Sequence, residues 1–541
     1  MRGQTSSARG APVPTQVPSL AERYRRERLW RGETIWQAFA ATAHRAARKT
    51  AVVEGQNRVS FAALAAAAEG LAGGLAARGV GPGDVVAFQL PNWTETVVVL
   101  LAACRLGAVA NPILPIHRRR ELRFILGEAG ARVLFIPGRY RDLDHRALAR
   151  ELRPELPALE HVIVVRDAPG AGAAGYAELA GAPPREACPD GAAVALLIYT
   201  SGTTADAKGV LHSHDTLLAE ARSLGPVHGI TEVDTVLMPS PLTHISGIVH
   251  ALLVPAVFGT TAVLMERWDP GAGLACIAAE RVTYMVGAPT FLRDLAQTPG
   301  LARDDVATLR LFSCGGAEVD PTLVREAAAR LGCVAKRVYG STEFPTVTTT
   351  GPDDPAERRI DSEGRPIGGN EILLVDEEGG SVPAGREGEI LARGPECFLG
   401  YRDPALNAES LTPDGWFRTG DLGMLDPAGY LRITGRRKDI IIRKGENISA
   451  RELEDLIAGH PAVAEVAVVG VPHAVAGEIA CAVLRPRPGM RPPTLADLAE
   501  LLTAQGLSRR KLPERLELVD DFPRTASGKI LKRALRERLG S

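Results

Sequence analysis

Between Tyr199 and Val210 the chain reads Tyr-Thr-Ser-Gly-Thr-Thr-Ala-Asp-Ala-Lys-Gly-Val. Thr200, Ser201, Thr203 and Thr204 supply hydroxyls, Gly202 bares a backbone N–H, and Lys208 adds an ammonium. The run follows the apolar stretch Ala192 to Ile198, which reads as a strand. Donors gathered at a strand exit beside one positive charge suit an anion such as a polyphosphate. The glycine-lysine-hydroxyl spacing of a Walker loop is missing. Taken alone, such a run fits a flexible surface turn equally well. Three other places carry groups with chemical potential: Tyr339-Gly-Ser-Thr-Glu343, the carboxylate Asp421, and Lys529 in a Thr-Ala-Ser-Gly-Lys turn. His212-Ser-His214 invites a metal, but no Cys, Asp or Glu set accompanies it, so it reads as structural.

The elements that would position these residues alternate. Val85–Leu90 reads as a buried strand and Trp93–Leu106 as the helix after it; Arg132–Ile136 reads as another strand. The pattern resumes with Thr261–Met265, Thr283–Gly287 and Leu309–Ser313. Repeated strand–helix order predicts an α/β fold of doubly wound sheets. After about residue 361, Glu371–Asp376 and Gly388–Arg393 alternate with turns, which predicts a small β-rich subdomain over about 361–435. Ser449-Ala-Arg-Glu452 is a capping-box pattern opening a helix, and strands at Val463–Val471 and Ile479–Leu484 and a helix at Leu495–Leu502 follow. The expected plan is a flexible lead-in over 1–20, a large domain over 21–437 and a small mobile α+β domain over 438–541.

With 541 residues, 45% of them apolar, the chain can bury several cores; its net charge of −1 gives no sign of a nucleic-acid partner. Seven scattered cysteines without a CxxC pair predict neither a disulfide framework nor a zinc site, and point to a cytoplasmic, reducing setting. The longest apolar run, Val97–Ala110, contains Arg105 and is too short to span a bilayer.

The Tyr199–Val210 run resembles the signature loop of the adenylate-forming superfamily of acyl-CoA synthetases, luciferase-like enzymes and peptide-synthetase adenylation domains. The order of Pro241-Leu-Thr-His244, Gly315-Gly-Ala317, Tyr339–Glu343, Trp416-Phe-Arg-Thr-Gly-Asp421, Gly435-Arg-Arg-Lys-Asp439 and Pro523–Lys529 extends the likeness over most of the chain. The segment Arg443–Ser449 looks closest to ligases for medium-chain or alicyclic acids. The resemblance implies a two-step reaction with ATP, Mg2+ and CoA. A carboxylic acid becomes acyl-AMP with loss of pyrophosphate, and a thiol then displaces AMP. It implies that Thr200, Ser201, Gly202, Thr203, Thr204 and Lys208 hold phosphates, although Ala205 and Ala207 replace the usual glycine and proline. It implies Glu343 as the magnesium ligand and Thr342 as a donor to the α-phosphate. Tyr339, Gly340 and Ser341, with Gly315, Gly316 and Ala317, would enclose the adenine. Asp421 and Arg436 would meet the ribose and Lys529 would bridge carboxylate and α-phosphate. Lys438 would be a hinge, and Lys444 and Gly445 would line the CoA tunnel. His244 would lie beside the reacting acid, with Ile245, Ser246 and His250 along the acyl pocket and Phe291, Cys314 and Phe344 as further candidates. An apolar Ile245, where amino-acid-activating relatives carry aspartate, implies an acid without an α-amino group. Transfer to a carrier protein or an amine, and a non-catalytic nucleotide-binding role, are the alternatives.

Overall fold

The computed structural model describes residues 17–184, 190–200, 207–317, 319–443, 446–473, 476–505, 507–525 and 529–540. Contacts divide the chain into two units. The first comprises Met1–Ile360, Pro366–Glu371 and Ala392–Phe417; the second comprises Asp361–Arg365, Ile372–Leu391 and Arg418–Ser541. The β-rich stretch expected to go with the large N-terminal part is thus mostly grouped with the C-terminal segment. The Ser449 hydroxyl donates to the Thr434 carbonyl at 3.2 Å and Arg437 reaches Glu389 at 3.2 Å, which ties the two across residue 437.

The first unit contains two largely parallel sheets. One has a parallel run ordered Val334–Tyr339, Leu311–Gly315, Tyr284–Gly287, Thr235–Met238, Thr261–Leu264, Thr50–Glu54. The other runs Lys208–Ser213, Val194–Thr200, Val109–Pro112, Val85–Phe88, Ala131–Pro137, His161–Val165 through its centre. Strand alternation sends Val52 and Val236 of one sheet, and Val86 and Phe88 of the other, into a single apolar cluster. Their neighbours Val53 and Leu237, and Val85 and Ala87, fall in separate outer clusters. Both faces of these strands are apolar because crossover helices cover both sides of a parallel sheet. The helix Thr94–Leu106 sits in the shared cluster and is buried on all sides except at Glu95 and Arg105, as an apolar helix between two layers must be. Among the described residues no helix is long and apolar enough to cross a membrane. The six described cysteines are free thiols.

The second unit holds a four-stranded sheet ordered Glu371–Val375, Glu387–Arg393, Phe417–Leu425, Leu431–Arg436, and a five-stranded sheet built around Val463–His473 and Gly477–Pro486. Helices Ala450–Ala458 and Leu495–Ala504 cover one face of the latter and Lys532–Leu539 the other. Ser449 accepts from the Glu452 N–H and starts the first of these helices where the capping pattern placed it.

Candidate functional site

Strands Val194–Thr200 and Lys208–Ser213 pair antiparallel, and Thr200 lies opposite Lys208. They form the base of the expected phosphate loop; Ser201, Gly202, Thr203 and Thr204 lie outside the described residues. Lys208 projects its ammonium over the Tyr401 ring, 4.9 Å from the centroid. Tyr401 belongs to a two-residue strand, Gly400–Tyr401, that pairs with Val210 and Leu211.

The other expected nucleotide residues lie at the carboxyl ends of two adjacent parallel strands, where open α/β sheets place their ligands. Leu311–Gly315 runs into Gly316 and Ala317, and Val334–Tyr339 runs into Gly340–Glu343. Gly315 faces Val338, and a Cβ there would come within 2.5 Å of the Val338 carbonyl oxygen. At Gly340 a Cβ would meet the Pro345 oxygen at 1.9 Å, so only glycine permits the turn. That turn closes by Ser341 N–H donating to the Phe344 carbonyl at 2.8 Å and Phe344 N–H donating to Ser341 Oγ at 3.2 Å.

Three bonds fix the tip of the turn. His212 Nε2 lies 2.8 Å from the Thr342 carbonyl oxygen. A carbonyl only accepts, so Nε2 carries the proton and Nδ1, 3.2 Å from Thr216 Oγ1, does not. Burial pushes the His212 pKa down to about 4, against the opposing pull of the Thr342 bond, so the ring is neutral near pH 7. The Tyr401 hydroxyl donates to Glu343 Oε1 at 2.7 Å, and the Phe398 N–H donates to the Glu343 carbonyl at 2.8 Å. Glu343 itself is half-buried. Its hard carboxylate oxygens suit a magnesium ion. Among the described residues no group of three or more His, Cys, Asp or Glu could hold a metal unaided. A magnesium ion at Glu343 would take its other ligands from phosphate oxygens and water, the usual habit of that ion. The His212–His214 pair holds no such set either. His212 instead pins Thr342, and His214 Nδ1 accepts from the Ile35 N–H at 3.2 Å.

His244 caps a helical turn, Ile245–Ile248. Its Nδ1 accepts from the Ser246 N–H at 3.3 Å and lies 2.9 Å from Ser246 Oγ, which leaves the ring proton on Nε2. Ile245 is buried. The helix that carries Ser246 and His250 changes its winding: Val249–Leu253 forms a wider π-helical turn, directly before the helix Val254–Phe258 with Pro255 in its first turn. His250 is buried in a stack on His228, 6.4 Å between centroids and 3° between planes, with Tyr284 edge-on at 6.1 Å. Ser246 is half-buried at the His244 cap. Cys314 also lies elsewhere than the acyl-pocket reading placed it: it packs in the outer apolar cluster with Phe312 and Leu323.

Asp421 belongs to the second unit. It sits within Phe417–Leu425, opposite Arg436 in register, and the two form an ion pair of 2.8 Å. Asp421 is buried while the Arg436 side chain is 50% exposed, so the arginine is the partner that solvent can take up if ligand hydroxyls replace it on the carboxylate. Lys438 falls in a single helical turn, Arg437–Asp439. Lys444 and Gly445 lie outside the described residues. Lys529 closes a turn in which its N–H donates to Thr525 Oγ1 at 3.0 Å and its carbonyl accepts from Thr525 N–H at 2.8 Å. A cavity of about 830 Å³ in this unit, lined by Glu389, Arg437, Glu452, Asp455 and Lys511, contains none of the expected substrate residues.

The sequence reading missed Tyr401 as a site residue and gave His212 no task. A lone tyrosine before Arg-Asp-Pro carries no local signal, and its contact with Glu343 joins residues 58 apart. His212 reaches Thr342 across 130 residues.

The chain matches known proteins along most of its length. Residues 39–402 match the AMP-binding enzyme family and residues 452–529 match the AMP-binding enzyme C-terminal domain. The chain is 35% identical to a medium-chain fatty-acid–CoA ligase of Escherichia coli, over 95% of this chain and 92% of that protein. It is 36% identical to a salicylyl-CoA synthase / salicylate adenylyltransferase of a Streptomyces species, over 96% of each. Among solved structures it resembles ATP-bound MatB from Rhodopseudomonas palustris, with a TM-score of 0.85 and 30% identity over 94% of this chain and 99% of that one.

Proposed function

We propose a carboxylate–CoA ligase reaction on one premise: this chain belongs to the AMP-binding enzyme family. It is an adenylate-forming ligase, and the finer assignment concerns its acid and its acyl acceptor. One observation carries the reading: Lys208 and the adjacent pair Thr342–Glu343 come from two separate segments and are linked through Tyr401 and His212.

In the first step a carboxylate oxygen attacks the α-phosphorus of ATP, the bond to the bridging oxygen of pyrophosphate breaks, and acyl-AMP forms. Little covalent help is needed; the barrier falls when the reactants are aligned and their charge is matched. Thr200, Lys208 and the loop between them hold the departing phosphates. Thr342 donates to an α-phosphate oxygen, and neutral His212 keeps the Thr342 backbone in place. A magnesium ion bound at Glu343 supplies positive charge to the phosphate oxygens. Tyr339, at the end of its strand, flanks adenine opposite Gly315–Ala317, and Asp421 exchanges Arg436 for the ribose hydroxyls. Lys529 neutralises charge between carboxylate and α-phosphate. In the second step the CoA sulfur attacks the acyl carbonyl and AMP leaves. Lys444 and Gly445 serve CoA, and Lys438 is the pivot between the steps.

CoA as acceptor draws support from the names of the Escherichia coli and Streptomyces relatives. Buried Ile245 beside His244 favours an acid without an ammonium group, of medium-chain, alicyclic or aromatic type. The test is incubation with ATP, Mg2+ and a panel of such acids, with and without CoA, the products identified by mass. Thioester formed only with CoA supports the ligase. Acyl-AMP that accumulates in the presence of CoA moves the assignment to a carrier-protein or amine acceptor.

A further inference from the structure

Tyr401 touches two charged residues of the proposed ATP site, Lys208 and Glu343, with different parts of one side chain. Its hydroxyl donates to Glu343 Oε1 at 2.7 Å, and its ring carries the Lys208 ammonium 4.9 Å from the centroid. The residue is itself rigidly held. It is 3% exposed, its N–H donates to Asn407 Oδ1 at 2.7 Å, and its carbonyl accepts from Asn407 Nδ2 at 3.0 Å. Phe398 packs edge-on at 5.0 Å, and the backbone pairs with Val210, two residues beyond Lys208.

We propose that Tyr401 is a positioning residue that keeps Glu343 and Lys208 apart on one aromatic spacer, so that each charge stays available to ATP and its cation. The inference rests on the ligase reading above. A lysine and a glutamate on neighbouring segments attract each other, and a direct ion pair between them would cancel the charges a magnesium nucleotide needs. The ring offers the ammonium a weaker, face-on partner. The hydroxyl occupies one carboxylate oxygen and leaves the second for a cation, as outer partners of metal ligands do.

The test is calorimetric binding of ATP to the full chain, with magnesium present or chelated and no acid added, for the wild type, Tyr401→Phe, Tyr401→Leu, Glu343→Gln and the double variant Tyr401→Phe/Glu343→Gln. Tyr401→Phe keeps the spacer and loses the hydroxyl. It should weaken magnesium-dependent ATP binding about tenfold, the usual cost of losing an outer partner of a metal ligand. ATP binding without magnesium should stay within about twofold, since the ring face under Lys208 survives. Tyr401→Leu should weaken both, because Lys208 then meets Glu343 directly. Adding Tyr401→Phe to Glu343→Gln should cause no further magnesium-dependent loss. If Glu343→Gln reduces magnesium dependence and Tyr401→Phe does not, the role of Tyr401 falls while the ligase reading stands. If Glu343→Gln leaves magnesium dependence intact, the assignment of Glu343 falls first. Full additivity in the double variant would also overturn the proposal, since it would make Tyr401 act independently of Glu343.

Discussion

The two units fix their expected site residues by different physics. In the first, Thr342 and Glu343 are held by uncharged donors from buried groups, His212 Nε2, Tyr401 Oη and the Phe398 N–H. In the second, polar side chains near the expected residues are held mainly by ion pairs that reach solvent. Arg436 bonds Asp421, Arg437 bonds Glu389 while 62% exposed, and Lys511 bonds Glu452 at 2.7 Å. Bonds buried from water hold one geometry, because leaving a buried partner unpaired costs about 1–3 kcal/mol. In the second unit the arginines reach solvent while Asp421 and Glu389 are buried, so only Lys511–Glu452 is exposed on both sides and falls in the range of about 0–1 kcal/mol. The first unit thus holds its expected site residues through neutral donors, and the second through charged ones.

The largest expected effect separates the units by chemistry. Lys529→Ala should lower acyl-AMP formation by about 10²–10³-fold, the scale of losing one donor to developing charge. Conversion of supplied acyl-AMP to thioester should change little. Equal loss in both half-reactions, measured by quenched-flow product analysis, would show that Lys529 serves both and would blur the division.

Acid should separate the units by stability. His145, His212 and His214 are pushed down to about 4, His250 to about 3 and His228 well below its ordinary value, in each case mainly by burial; all five lie in the first unit. Their folded pKa values lie below the ordinary 6.5, so the unfolded chain takes up protons first. The stability they contribute is full above about pH 6.5 and is lost as pH falls towards 4, at about 1.4 kcal/mol per pH unit for each. The buried Glu220–Glu396 pair opposes this. Burial raises both, Glu396 well above the ordinary carboxylate range, so its contribution is present at low pH and lost as pH rises through that range. Glu128 and Asp215, also raised by burial, act with that pair, while His117, also lowered by burial, joins the five histidines; six groups outnumber four, and the net expectation is acid lability of the first unit. The described histidines of the second unit, His460 and His473, are half-buried and exposed. All five tryptophans, Trp30, Trp36, Trp93, Trp268 and Trp416, belong to the first unit, so their emission reports its unfolding alone. Tryptophan-monitored melting temperatures should drop between pH 7 and 5; a flat profile would remove the buried histidines from the account.

A smaller effect concerns the acid. Ile245→Asp places a carboxylate at a buried position beside His244 and should reduce kcat/KM for neutral acids by about 10-fold or more, a typical cost of a mismatched group in an apolar pocket. Unchanged values would put Ile245 outside the pocket. Smallest of all, Arg437→Gln removes an exposed partner of Glu389 and should cost under about 1 kcal/mol in chemical denaturation. A larger loss would show that this pair is a fixed part of the second unit.

Much of the fold could be read from the chain because its signals are local. Val85–Phe88, Ala131–Pro137, Tyr284–Gly287 and the helix Thr94–Leu106 lie within a residue or two of their expected positions, since apolar period and length identify buried strands and helices. The order of motifs identified the family, and glycines such as Gly340 had a steric reason visible once Pro345 lies against them. Three things were not legible. The π-helical turn at Val249–Leu253 departs from the 3.6-residue period by which apolar spacing identifies helices. The bonds from Tyr401 and His212 join distant parts of the chain and follow from sheet packing rather than from any pattern around those residues. The pairing of Asp421 with Arg436 follows from strand register, which the motif sequence did not specify.

The most direct measurement is acid-dependent exchange of labelled pyrophosphate into ATP, run without CoA, with the adenine product followed in parallel. The account predicts exchange only when a carboxylic acid is present, and AMP rather than ADP as the product once CoA is added. Absence of exchange with every acid of the panel, or release of ADP and phosphate, would contradict it.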